Sequence, residues 1–130
     1  MEPDNPTIHL SMGLSYINYA LTGRPAENQE QAFLQGLSFM KKYYESRKSS
    51  PDVEKRQEAH YNMGRVYQML GQRQLAIPYY NLVFKEVESA EGEEKKGDVV
   101  VDTAYNLQAL YTTAGNEVLA NAITEKWLVL

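Results

Sequence analysis

The chain has 130 residues, enough for one compact domain with a substantial core. Hydrophobic residues make up 43% and charged residues 23%, an ordinary globular balance that argues against global disorder. The absence of cysteine excludes a disulfide framework, a zinc finger and thiol chemistry, and a net charge of −4 leaves no basic surplus for gripping nucleic acid.

No apolar run approaches the roughly 18 residues of a membrane span. The opening MEPDNPTIHL lacks the basic patch and apolar stretch of a signal peptide. In chain order, the first predicted helix covers 7–21 and carries Met12, Gly13, Tyr16 and Ala20, the opening half of a degenerate repeat. Extra residues in TGRPAENQEQ precede its second half, a helix over 28–47 with Ala32, Gly36 and Phe39. The densest basic stretch, Lys41, Lys42, Arg47 and Lys48, lies here, but Glu45, Asp52 and Glu54 offset it, as on a solvated face. Ser49, Ser50 and Pro51 read as a linker, and Asp52 as the N-cap of the next helix.

That helix, over 53–70, places Ala59, Met63, Val66, Tyr67 and Leu70 on one face at steps of three and four. Gly71 ends it as a C′ glycine. A partner over 73–87 carries Ala76, Tyr79, Tyr80, Val83 and Val87, with Pro78 at the end of its first turn, where the lost donor costs little. Small residues at Gly64 and Ala76 let the pair approach closely, with Tyr67 and Tyr80 filling the gaps around them. After the acidic, glycine-containing stretch at 89–97, read as a mobile surface loop, helices over 98–114 and 117–128 repeat both stripes. The first has Val100, Ala104, Leu107, Tyr111 and Ala114, and the second Ala120, Ile123 and Trp127. Tyr61, Asn62, Tyr67, Gly71 and Ala76 match Tyr105, Asn106, Tyr111, Gly115 and Ala120 at one spacing.

Self-similarity at this period is the signature of a tetratricopeptide (TPR) array. The expected fold is all-α: a right-handed α-solenoid of about three TPR-like helix–turn–helix repeats, near 6–47, 57–90 and 101–130, forming one array over 1–130. Tyr16, Tyr67, Tyr80 and Tyr111 fall at packing positions. The concave groove of such an array would be lined by Leu14 and Ile17 from the first repeat, by Tyr61, Asn62, Arg65, Gln68 and Met69 from the second, and by Tyr105, Asn106 and Ala109 from the third. Asn side chains there suit a peptide backbone and Arg65 suits a carboxylate.

Nothing assembles an acid–base pair or a nucleophile with its base, so no enzyme, cofactor or metal site is expected. His9 and His60, the only histidines, sit at packing positions. The glycines lie at repeat positions rather than in a phosphate loop.

The run QEAHYNMGRVYQMLGQRQLAIPYY, with QAFLQGLSFMKKYYESR before it and DTAYNLQALYTTAGN after it, resembles the C-terminal end of the TPR-containing subunit of TFIIIC. TFIIIC is the general transcription factor that recruits the RNA polymerase III machinery to tRNA-type genes. The resemblance runs from Ile8 to Trp127, and FLQGLSFMKKYYESR matches although it lies outside the TPR consensus; 89–97 has no recognisable match. It implies a fragment of a longer nuclear subunit. It also implies a scaffold whose partners are other TFIIIC subunits and TFIIIB, with phosphate contacts made by other chains. A TPR adaptor of another assembly, in RNA processing or linked to chaperones, is the alternative. A chaperone clamp would need groove lysines, and Arg65 is the one suitable cation.

Overall fold

The computed structural model describes residues 5–22, 28–89 and 99–129. Every regular element among them is helical: α1 (Pro6–Thr22), α2 (Gln29–Arg47), α3 (Val53–Met69), α4 (Arg73–Ser89), α5 (Val99–Thr113) and α6 (Glu117–Ile123), closed by a π turn over Thr124–Leu128. The all-α helical-repeat expectation is met: α1 to α5 lie within two residues of their predicted bounds, while the sixth helix, expected over 117–128, gives way to the π turn after Ile123. Contacts divide the chain into two compact units, Met1–Ser50 and Pro51–Leu130. The first unit is one hairpin and the second is two. Except for Ser89, the acidic stretch at 89–97 lies outside the described residues.

In the first unit, α1 and α2 pack through two glycines. A methyl on Gly13 would lie 2.7 Å from Met40 Sδ, and one on Gly36 would lie 2.8 Å from Ile17 Cγ1. Either would also come within 3.1 Å of the opposite glycine's carbonyl, so the two backbones nearly touch and neither position has room for a side chain. Ile17, Ala20, Ala32, Met40 and Tyr43 are buried around this contact. Tyr16 stacks on Phe39 at 5.8 Å between ring centroids.

The second unit repeats one turn chemistry twice. Gly71 and Gly115 have φ of +73° and +78°, the left-handed region that L side chains avoid. Behind Gly71, the Gln72 N–H donates to the Tyr67 carbonyl at 2.8 Å; behind Gly115, the Asn116 N–H donates to Tyr111 at 2.8 Å. These are the long bonds of a helix C-terminus closed by an αL residue. Side-chain caps start helices in both units: Asn5 accepts from the Thr7 N–H ahead of α1, Asp52 from the Glu54 N–H, and Asn116 from the Leu119 N–H. The core joins Ala76, Tyr80, Val83, Phe84 and Val87 of α4 to Val100, Ala104, Leu107 and Leu110 of α5.

Pro78 departs from the expectation. It is the sixth residue of α4 and so lies beyond the first turn, where its missing N–H removes a regular bond to Gln74. Both residues are exposed. At the other end of the chain, the π turn closes with the Val129 N–H donating to the Thr124 carbonyl at 3.1 Å. Trp127 then stacks on Phe84 at 4.4 Å, and Lys126 pairs with Glu88 at 2.7 Å.

Candidate protein-binding face

The residues expected to line a groove do not share one environment. Ile17 is fully buried against Gly36, so it is a core residue and cannot meet a partner. The glycine that lets α2 close on α1 also seals Ile17 between them. Leu14, also in the first unit, is half-buried.

In the second unit, α3 carries Tyr61, Asn62, Gln68 and Met69 half-buried and Arg65 exposed. On α5, Asn106 is half-buried, Ala109 is exposed, and Tyr105 is 58% exposed. Three of them, Tyr61, Gln68 and Asn106, meet at one side chain that sequence reasoning had assigned only to packing. Tyr80 of α4 has a fully buried ring, and its hydroxyl donates to Gln68 Oε1 at 2.6 Å and accepts from Asn106 Nδ2 at 3.3 Å. Tyr61 lies 6.0 Å from it, ring to ring. One hydroxyl thus ties α3, α4 and α5 together and sets the direction of both carboxamides.

Burial pushes the Tyr80 hydroxyl above the ordinary tyrosine range, with the Asn106 bond pulling weakly the other way. It therefore keeps its proton and stays a donor to Gln68. The signal for this role was present in the sequence as a pairing of sizes. Gly64 leaves the space that the Tyr80 ring fills, since a Cβ there would lie 2.6 Å from the ring. The counterpart positions in the next repeat are Gln108 and Thr124, large and small exchanged.

The other expected packing tyrosines behave differently. Tyr16, Tyr67 and Tyr111 are half-buried, and Tyr67 stacks on Tyr79 at 5.7 Å. Tyr16 likewise stacks on Phe39, so these rings are only partly withdrawn from water. A second polar cluster joins α3 to α4, where Glu86 takes the Arg56 Nε–H at 2.9 Å and lies 3.5 Å from His60 Nε2. His60 is buried, and this desolvation holds its pKa below the ordinary histidine value; Glu86 works against the shift and Arg56 works with it. Among the described residues no group of three His, Cys, Asp or Glu side chains could hold a metal ion, and no helix is long and apolar enough to cross a membrane.

Over 97% of its length the chain is 39% identical to the transcription factor tau 131 kDa subunit of Saccharomyces cerevisiae. It is 33% identical over 99% of its length to the transcription factor tau subunit sfc4 of Schizosaccharomyces pombe, and 31% identical over 93% to the human general transcription factor 3C polypeptide 3. The chain is a homologue of these transcription-factor subunits, as its resemblance to the TPR-containing TFIIIC subunit led us to expect. It spans 12%, 14% and 13% of their lengths respectively. No protein-family model matches it.

Proposed function

We propose that this chain is a protein-binding segment of TFIIIC, a nuclear scaffold that supports RNA polymerase III transcription by holding other TFIIIC subunits or TFIIIB. The similarity to three transcription-factor subunits, across nearly the whole chain, carries this reading. The names of those relatives describe subunits of transcription factors rather than enzymes, which favours a scaffold over a catalyst.

Within that role, the α3–α5 face of the second unit is the surface we assign to the partner. Once Tyr80 has engaged Gln68 Oε1 and Asn106 Nδ2, the Gln68 amide N–H groups and Asn106 Oδ1 remain to meet a peptide's C=O and N–H. Arg65 and Tyr105 stand exposed beside them as a charged and an aromatic anchor, residue types that commonly dominate interface energies.

The test is capture of purified TFIIIC subunits, and of TFIIIB, on the immobilised chain. At least one should bind. Tyr105→Ala and Arg65→Glu, both at exposed positions, should each weaken that binding by about 2 kcal/mol, as truncated anchors do, while the thermal melt stays near that of the parent. Normal binding by both variants would move the partner off this face. Capture of nothing would count against the scaffold role itself.

A further inference from the structure

The chain has five prolines, and Pro51 is the one that follows a serine or threonine. Ser50–Pro51 is also the bond at which contacts divide the chain into its two units. Residues 48–52 lie between α2 and α3 and belong to neither helix. Ser49, Pro51 and Asp52 are exposed and Ser50 is partly so, with its N–H donating to the Arg47 carbonyl at 3.0 Å. A residue before proline is biased towards extended backbone, the form in which a kinase cleft takes its substrate. The proline itself brings no N–H needing an acceptor in that cleft.

We infer that Ser50 is a phosphorylation site for a proline-directed serine/threonine kinase, with ATP as the phosphoryl donor. This is independent of the partner-binding reading. Ser50 Oγ attacks the γ-phosphorus of ATP, the Oγ–P bond forms, the bond to the ADP oxygen breaks, and the hydroxyl proton passes to the kinase's base. Ser49 is followed by serine and is not selected. Arg47, three residues before Ser50, leans towards the Thr7 hydroxyl at 3.5 Å and is partly buried. That posture disfavours a kinase that reads an upstream arginine.

The product would place a phosphate of about −1.5 to −2 charge in the short segment between α2 and α3. Its nearest mobile cation in sequence is Lys48, which lies 3.0 Å from Glu45 in a pair whose side chains are 40% and 66% exposed. So exposed a pair exchanges partners readily, and the phosphate would draw Lys48 from Glu45.

The experiment incubates the folded 130-residue chain with a cyclin-dependent kinase and ATP, counts phosphates by intact mass and maps them by fragmentation. One phosphate on Ser50 is expected, retained in Ser49→Ala and lost in Ser50→Ala and Pro51→Ala. A synthetic peptide covering 44–58 serves as the unfolded comparison. Labelling of the peptide but not the folded chain would mean that the fold shields Ser50, and would overturn the inference. Labelling of neither, a phosphate on Ser49, or unimpaired labelling of Pro51→Ala would overturn it equally.

Discussion

At Gly64 the helices meet with no room for a side chain. Both Tyr80 Cδ1 and Cε1 lie 2.6 Å from where a Cβ would sit. In an open helix, Gly64→Ala would gain about 1 kcal/mol of helix propensity. Here it must displace a fully buried ring held by two hydrogen bonds, and overpacking of that kind costs about 1–3 kcal/mol. The second effect wins, so Gly64→Ala should lower the melting temperature. A melt equal to or above the parent's would mean that the ring has slack. In the same contact, Tyr80 fills a void with its ring and spends its hydroxyl on two neighbouring helices. One residue therefore serves both the core and the direction of the Gln68 and Asn106 amides on the candidate face.

The α3–α4 hairpin carries a second, titratable tie through Glu86, Arg56 and His60. Because burial lowers the folded pKa of His60 below 6.5, the unfolded chain binds its proton more readily than the folded one. The stability that depends on neutral His60 is thus fully present above pH 6.5, and is lost as pH falls from there through the folded value. The melting temperature should accordingly drop between about pH 7.5 and about pH 5.5. His60→Gln has no imidazole to protonate and should show a shallower drop over that interval. Identical slopes for parent and variant would remove His60 from the account.

For the whole molecule, charge is the informative property. Seventeen acidic residues face thirteen basic ones, and several of the cations are engaged within the chain. Arg56 is tied to Glu86 and Lys126 to Glu88, while Lys42 lies over the Phe39 ring. Tight binding to a phosphate backbone draws on many cations at once, and its affinity falls steeply with salt. The isolated chain should therefore show no salt-sensitive binding to tRNA-gene DNA in a fluorescence anisotropy titration. A Kd tighter than about 10⁻⁶ M that weakens with added salt would contradict this. That outcome would fit the proposed role, in which this segment joins proteins and other chains carry the phosphate contacts.

The sequence by itself determined the helices, their ends and the two glycine turns, because each rests on interactions within a few residues. Apolar spacing marks the packed stripes, Asp52 caps the helix it precedes, and Gly71 and Gly115 adopt the positive φ that their places after α3 and α5 demand. Tertiary structure alone decided what each stripe residue touches. Ile17 and Leu14 lie three apart on one helix, yet the close approach at Gly36 buries the first completely and leaves the second half-open. Likewise, three of four tyrosines at packing positions stay half-buried, while Tyr80 disappears into the space beside Gly64. Periodicity reports the direction of a side chain from its own helix axis. Burial depends on how near the neighbouring backbone comes, and that distance is set by glycines and rings far away in the sequence.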